Sequence, residues 1–288
     1  MSYRGRFAPS PTGHLHFGSL VAAVGSWLCA RHAGGEWLLR MEDIDPPREV
    51  AGSAASILAA LPAFGLLADA PALFQSRRVA AYDAAFERLR AAGQVFPCWC
   101  SRSDLAGAGG IHRDGHCVAS PHPGQAPAWR LRVPDVTIAF DDALQGPQRQ
   151  NLRDEVGDFV IRRVEGFYSY QLACVVDDAS QGITEVVRGQ DLLDSTARQI
   201  WLQRCLGLPA PKYRHLPLVL DGEGHKLSKS GQAFPIDPAD PLPALRRALA
   251  FLRAPAPPAA ADAHQLLAQA LANFDPADLP HCSGHSAA

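Results

Sequence analysis

Two short stretches of the chain carry residue types that suit the binding of nucleotide phosphates. The first, RFAPSPTGHLHFGS at residues 6–19, places Gly13, His16 and Gly18 in a proline-bearing loop before an apolar stretch. The second, KLSKS at residues 226–230, places two lysines and two serines directly after a DGEGH turn. Glycine allows close approach of a ligand, an imidazole N–H can donate to a phosphate oxygen, and lysine stabilises charge on a pyrophosphate leaving group. Each stretch alone is equally typical of a solvated loop, but the pair in this order favours a phosphate site.

The predicted secondary structure would bring these stretches to one edge of a parallel sheet. GRFA predicts a short strand, and LVAAVGSWLCARHA predicts a helix that Ser19 would cap and that Gly34 and Gly35 would end. EWLLRMEDID and HLPLVL predict further strands, and helices are expected near residues 50–64 and 78–92. Alternating strands and helices predict an α/β fold, in which ligands bind at the carboxyl ends of the strands and at helix N-termini.

Composition is that of a globular protein with a sizeable core. The chain has 288 residues, of which 47% are hydrophobic, and 27 Lys and Arg face 29 Asp and Glu. The near-neutral balance argues against an indiscriminate polyanion binder. No window has the 18 or so uninterrupted apolar residues of a membrane span, and the N-terminus lacks a signal-peptide pattern. We therefore expect a cytoplasmic protein that does not contact membranes.

A cysteine-rich segment, CWCSRSDLAGAGGIHRDGHC at residues 98–117, has the ligand types of a zinc site. Three cysteines and two histidines in an irregular stretch could supply the four N or S ligands of a tetrahedral ion. Free buried cysteines are the alternative, and the spacing leaves the fourth ligand open.

Together, the stretches at residues 6–19 and 226–230 resemble the HIGH and KMSKS signatures of the class I aminoacyl-tRNA synthetases. RFAPSPTG followed by LHFG, MEDID and KLSKS is similar specifically to the glutamyl branch, and the resemblance covers about residues 4–234. HFGS occupies the place of HIGH, so His16 and Gly18 match while Ser19 replaces the second histidine. The resemblance implies a Rossmann-like class I catalytic domain.

The resemblance also implies which residues act on ATP, which would bind with Mg²⁺ as a substrate. A catalytic role in forming an aminoacyl adenylate is implied for His16, Gly18, Lys226 and Lys229. Of these four residues, His16 and Lys229 would contact ATP.

A glutamate substrate brings two carboxylates and one ammonium. Its site needs a fixed cation, preferably a bidentate arginine, and an anion for the amine. Surface ion pairing would explain any single Arg or Glu, but several matches in family order favour a pocket. The resemblance implies that glutamate is bound by Arg6, Ala8, Ser10, Glu42, Tyr170 and Arg188. Cys174 departs from the asparagine of a relative and leaves the polarity of the pocket open.

The cysteine-rich insertion and the short C-terminal region resemble the glutamyl-Q tRNA(Asp) synthetases, the short paralogues of glutamyl-tRNA synthetase. Fewer than 60 residues follow KLSKS, and many are Pro and Ala, so we expect no anticodon-binding domain. The resemblance implies one structural Zn²⁺ on Cys98, Cys100 and Cys117. His112 stands at the family's tyrosine position as the fourth ligand, with His116 in reserve.

Four segments are expected. Residues 1–93 and 151–234 would form the two halves of the catalytic domain, 94–150 the inserted zinc-bearing subdomain, and 235–288 a short helical segment with a flexible tail.

By resemblance, the chain would activate L-glutamate with ATP without needing tRNA. It would then transfer glutamate to queuosine at the wobble position of tRNA-Asp, docking as a monomer on the anticodon arm. One alternative is a truncated glutamyl-tRNA synthetase that charges a tRNA 3′ end. Another is an inactive paralogue that binds tRNA or a synthetase. A small-molecule nucleotidyltransferase would share both loops, but MEDID and VVRGQDLL favour an amino acid substrate.

Overall fold

A computed structural model describes residues 2–121, 124–220, 236–254 and 260–281. The N-terminal part is a parallel sheet with the spatial order β1-β2-β3, whose strands alternate with helices. Five consecutive residues of β2 are buried, as expected of a strand that is covered on both faces. The elements are β1 (Arg4–Phe7), α1 (Phe17–His32), β2 (Glu36–Met41), α2 (Ser53–Ala63), β3 (Leu73–Phe74) and α3 (Val79–Ala91).

A second sheet continues the fold in the order β7-β6-β10-β9, with β10 parallel to both β6 and β9. The backbone N–H of Thr184 donates to the Arg4 carbonyl (2.9 Å), which places β9 beside β1. The carboxyl ends of β1, β2, β9 and β10 therefore lie along one edge, which confirms the predicted α/β class. The elements are β6 (Thr137–Asp142), β7 (Gly146–Asn151), α4 (Tyr170–Ser180), β9 (Glu185–Gly189), α5 (Thr196–Leu206) and β10 (Lys212–Leu216).

An antiparallel sheet of order β4-β5-β8 carries the cysteine-rich segment. Its strands are β4 (Val95–Cys98), β5 (Ala128–Leu131) and β8 (Phe159–Arg162). The segment after β4 packs around a core of only four buried side chains, from Phe96, Cys98, Cys100 and Leu105. So small a core favours an additional stabilising device such as a metal ion. Strands β6 and β7 lie within residues 94–150 but pair with the sheet of β10, and the four-segment division stays a proposal.

Helix α1 begins three residues earlier than the sequence predicts. The helix starts at Phe17, and the N-cap is His16, whose Nδ1 accepts the backbone N–H of Ser19 (3.3 Å). Ser19 was expected to be the cap because hydroxyl side chains prefer that position. An imidazole nitrogen with a free lone pair makes the same hydrogen bond, so the cap is instead the histidine of the HIGH-like motif.

The C-terminal residues are more ordered than their composition predicts. Helix α6 (Pro241–Phe251) agrees with the predicted helix, but a second helix, α7 (Ala263–Ala272), lies in the segment that was expected to be a flexible tail. Asp262 caps α7 by accepting the Gln265 backbone N–H (2.8 Å), and Leu266 and Leu267 are buried in the core that contains α1. The Ala- and Pro-rich composition hid these two core leucines. Among the described residues, no helix is long and apolar enough to span a bilayer.

Gly35 permits the close approach of the chain before β1 to the start of β2. A Cβ at this position would lie 2.3 Å from the Tyr3 carbonyl oxygen and 2.6 Å from Tyr3 Cβ. We expect Gly35→Ala to lower the free energy of unfolding by about 1–3 kcal/mol, because the backbone must shift. Gly107→Ala is the control, since its Cβ would meet nothing within 4 Å. Urea unfolding of both variants tests this, and equal stabilities would contradict it.

Candidate active site and metal centre

A cavity of about 320 Å³ opens at the sheet edge where β1, β2 and β9 end. It is lined by eight of the residues that the sequence assigns to ATP or glutamate: Arg6, Ala8, Ser10, His16, Gly18, Glu42, Tyr170 and Arg188. These residues come from segments more than 150 positions apart, and the fold brings them together. Lys226 and Lys229 lie outside the described residues. The individual roles of all ten residues stay predictions.

One end of the cavity suits a phosphate group. Because His16 Nδ1 accepts a backbone N–H, the ring proton of a neutral imidazole lies on Nε2, which is 3.0 Å from Ser19 Oγ. A Cβ on Gly18 would lie 3.3 Å from His16 Cε1, so glycine leaves room for this ring position. The N-terminus of α1 adds the positive end of a helix dipole. Ser19, which replaces the second histidine of the motif, therefore fixes the ring of His16, the first histidine, through two hydrogen bonds.

Beneath the cavity, two arginines share one carboxylate. Arg6 Nε donates to Asp178 Oδ1 (3.1 Å), and Arg40 Nη1 donates to the same oxygen (2.7 Å). Burial alone would raise the pKa of Asp178, but the two guanidinium groups lower it to about 2. The terminal nitrogens of Arg6 have no partner among the described residues, so Asp178 orients the group and leaves its fork for a ligand carboxylate.

Arg40 and Asp178 are not among the site residues predicted from the sequence. The available signal was a charged residue in the middle of an otherwise apolar strand, WLLRM, which must find a buried partner.

Glu42 is the acidic residue that the sequence assigns to a substrate ammonium. Its side chain is only 9% exposed, and its Oε1 lies 3.5 Å from Arg40 Nη2. Burial raises the pKa of Glu42, although Arg40 and Arg6 act in the opposite direction. Because this contact is long, the carboxylate can bind a second cation without losing a strong ion pair.

Cys174 does not line the cavity. Its Sγ lies 3.6 Å from Arg40 Nη2 and 3.5 Å from Asp178 Oδ2, beneath the arginine pair. Burial raises the pKa of Cys174 to about 12, so it is an uncharged thiol. The replacement of asparagine therefore bears on the support of Arg40 and Asp178 rather than on the lining of the cavity.

At the other side of the cavity, Arg188 ends β9 and is 5% exposed. Its Nη1 donates to the Tyr170 hydroxyl oxygen (3.3 Å), and its Nε donates to His215 Nε2 (2.9 Å). Tyr170 opens helix α4 and also lines the cavity. The predicted pair is thus in contact, and His215 is a buried partner that the sequence analysis did not identify.

The metal-ligating residues predicted from the sequence form a second cluster. The ligand atoms of Cys98, Cys100, His112 and Cys117 all lie within 4.8 Å of one another. His112 Nε2 is buried and has no hydrogen-bond partner among the described residues, while Nδ1 is bonded to Asp158 Oδ2 (2.9 Å). A carboxylate on the far nitrogen is the usual support of a metal-bound histidine. The arrangement fits zinc with His112, rather than His116, as the fourth ligand.

Neighbouring groups hold this cluster in place. The Asp158 carboxylate accepts a hydrogen bond from His112 Nδ1, and the Asp158 backbone N–H donates to the His112 carbonyl (2.6 Å). Arg130 Nε donates to Cys98 Sγ (3.2 Å), and its positive charge would offset the excess negative charge of three thiolates if they held a divalent ion. None of the four ligands lines the cavity at the sheet edge, which favours a structural rather than a catalytic ion.

Known proteins resemble this chain over most of its length. The model of the family "tRNA synthetases class I (E and Q), catalytic domain" matches residues 2–237. "Glutamyl-Q tRNA(Asp) synthetase" from Xanthomonas axonopodis pv. citri is 58% identical over 281 residues, covering 96% of this chain and 93% of the relative. The protein of that name from Burkholderia mallei is 58% identical over 261 residues, covering 87% of this chain and 88% of the relative.

The fold of this chain is also similar to that of a solved glutamate tRNA ligase. The glutamate tRNA ligase from Elizabethkingia meningosepticum, crystallised with its amino acid, superposes with a TM-score of 0.81 at 25% identity. The match covers 100% of this chain and 67% of the ligase.

We expect the purified protein to contain about one zinc per chain, held tightly by three thiolates and one imidazole. Asp158→Asn should lower zinc affinity about 10- to 100-fold, because it weakens the support of His112. His112→Ala should release the metal, whereas His116→Ala should retain it. Metal analysis and competition with a chelator measure these differences. An equal loss in the His112 and His116 variants would contradict the ligand set.

Proposed function

We propose that this chain, which belongs to the class I tRNA synthetases for glutamate and glutamine, transfers ATP-activated L-glutamate to queuosine at the wobble position of tRNA-Asp. The chain is an enzyme of ligase type, and its likeness to glutamyl-Q and glutamate tRNA ligases supports glutamate activation and transfer. The observation that carries the finer proposal is the 58% identity, over 96% of this chain, to a glutamyl-Q tRNA(Asp) synthetase.

In the first step, the α-carboxylate of glutamate attacks the α-phosphorus of ATP, and pyrophosphate leaves. His16 at the N-terminus of α1, together with Lys226 and Lys229, would hold the triphosphate, which Mg²⁺ accompanies. Positioning and charge stabilisation supply most of the catalysis in such a transfer, so no covalent protein nucleophile is required. Glu42 would bind the substrate ammonium. Arg6 and Tyr170 would offer hydrogen-bond donors to its carboxylates, and Arg188 would take part in glutamate binding through its contact with the Tyr170 hydroxyl oxygen.

In the second step, a hydroxyl group of queuosine attacks the carbonyl carbon of glutamyl adenylate, and AMP leaves. A second cavity of about 1030 Å³ adjoins the first and shares Ser10, Glu42 and Tyr170 with it. The acceptor nucleoside would enter there, beside the activated carbonyl. Arg102, two residues after Cys100, also lines this cavity, so the zinc-bearing segment would meet the RNA. The anticodon arm as docking partner, the monomeric state and the cytoplasmic location stay predictions.

The decisive measurement is glutamate-dependent exchange of labelled pyrophosphate into ATP without tRNA, followed by transfer to tRNA. We expect exchange without tRNA, and labelling of tRNA-Asp only when it contains queuosine. Labelling of a tRNA 3′ end would instead indicate a truncated charging enzyme. Absence of exchange with every amino acid would overturn glutamate activation and favour an inactive binding paralogue.

Arg102→Ala tests the proposed entry of RNA through the second cavity. Arg102 is exposed and has no ion pair among the described residues, so an RNA phosphate is an available partner. We expect the variant to keep normal pyrophosphate exchange, to raise the KM for tRNA, and to reduce the salt slope of tRNA binding by about 1. Arg149→Ala, which removes an exposed arginine on β7 away from both cavities, is the matched control. Equal behaviour of the two variants would contradict the proposal.

A further inference from the structure

Four buried or half-buried side chains form a hydrogen-bonded series that ends at the first cavity. Asp142 at the end of β6 contacts His215 on β10, with 2.5 Å between Oδ2 and Nδ1. His215 Nε2 contacts Arg188 Nε (2.9 Å), and Arg188 Nη1 contacts the Tyr170 hydroxyl (3.3 Å). Each residue belongs to a different strand or helix. The first two lie outside both cavities, so they cannot touch a substrate there.

The donors and acceptors of this series can point in only one direction. Burial alone would raise the pKa of Asp142, but hydrogen bonds from His215 and two backbone N–H groups lower it to about 2, so the carboxylate only accepts. His215 Nδ1 must therefore carry a proton. Burial lowers the pKa of His215, although Asp142 acts in the opposite direction, and the ring is neutral near pH 7. Its Nε2 lone pair then accepts from Arg188.

Arg188 has an acceptor for each of its five N–H groups. Besides His215 and Tyr170, the acceptors are Gln199 Oε1 (2.8 Å), Thr196 Oγ1 (2.9 Å) and the Leu192 carbonyl (3.2 Å). A guanidinium group only donates, so the Tyr170 oxygen must accept from it. The Tyr170 O–H proton is then left for a group in the cavity. Burial raises the pKa of Tyr170, which keeps that proton on the oxygen.

We infer that Asp142 and His215 are positioning residues for the substrate: they fix the direction of this series so that Tyr170 donates to the side-chain carboxylate of glutamate. The inference rests on the proposed function, because it concerns how that substrate is recognised. Arg6, with its terminal nitrogens unpartnered among the described residues, contributes further donors to the same cavity. A carboxylate, with two acceptor oxygens, satisfies such a site, whereas the NH₂ of a carboxamide would face a donor.

Asp142→Asn tests this inference with little change of shape. Asp142 Oδ1 accepts the backbone N–H groups of Leu144, Gln145 and His215, and an asparagine oxygen can keep those bonds. Its NH₂ group would then face His215 Nδ1 and move the ring proton to Nε2, opposite the Arg188 Nε–H. We expect the KM for glutamate in pyrophosphate exchange to rise about tenfold, because a buried hydrogen bond to a charged group is lost. The KM for ATP should not change, and the preference for glutamate over glutamine should fall.

Two further variants complete the experiment. Asp141→Asn, at the exposed neighbouring position on β6, should behave like the wild type. His215→Gln keeps an acceptor for Arg188 and should retain more glutamate affinity than His215→Leu, which has none. Thermal unfolding of each variant verifies that it is folded. If Asp142→Asn does not fold, the comparison of His215→Gln with His215→Leu tests the positioning role.

The outcomes separate the two proposals. No glutamate-dependent exchange by the wild type would overturn the proposed function. Normal exchange by the wild type, with an unchanged KM for glutamate or unchanged glutamate preference in Asp142→Asn, would overturn the positioning role alone. Parallel loss of ATP and glutamate affinity, or equal losses in His215→Gln and His215→Leu, would indicate a purely structural role and would overturn it too.

Discussion

The carboxylate of Asp178 is the point on which the candidate active site depends. From its own position on α4, it forms ion pairs with both Arg6 from β1 and Arg40 from β2, which are almost fully buried. Leaving one partner of a buried ion pair uncompensated costs about 3–5 kcal/mol, so these three elements must remain together. The same bonds fix the direction of the Arg6 guanidinium and bring Arg40 beside Glu42. A single buried ion cluster thus holds two of the charged residues that line the first cavity, Arg6 and Glu42.

The candidate active site and the candidate metal centre both contain a histidine that is hydrogen-bonded to a buried carboxylate. In each, a buried carboxylate accepts the Nδ1–H of a histidine: Asp158 with His112 in the metal cluster, and Asp142 with His215 behind Arg188. The result in both cases is a neutral imidazole whose Nε2 lone pair has a fixed direction. His112 aims that lone pair at three cysteines, where a metal ion would accept it. The His215 lone pair accepts from the Arg188 guanidinium group, and this contact fixes the direction of the hydrogen bonds that reach the cavity.

The small core around the cysteines explains why that segment would need a metal. Four buried side chains exclude little water, and the residues between β4 and β5 are mostly without strands or long helices. A zinc ion bound by residues at both ends of the segment would fix its path. This would also hold Arg102 at the edge of the second cavity, which links a structural ion to the surface where the acceptor nucleoside would arrive.

By itself, the sequence predicted the class of fold, two loops suited to phosphate and a cysteine-rich segment with the ligand types of a zinc site, because residue type and spacing reflect local backbone conformation and the chemistry of a ligand. The glutamate-site residues around the first cavity and His112 as the fourth metal ligand were predictions implied by the resemblance to the glutamyl synthetases. The sequence did not reveal the start of α1 at Phe17, helix α7, or the supporting residues Arg40, Asp178, Asp142 and His215. Those features arise from contacts between distant segments: Arg40 meets Asp178 across 138 positions, and Asp142 meets His215 across 73. Only the tertiary structure decides which buried charges become neighbours, because a lone charged residue shows that it needs a partner but not which one.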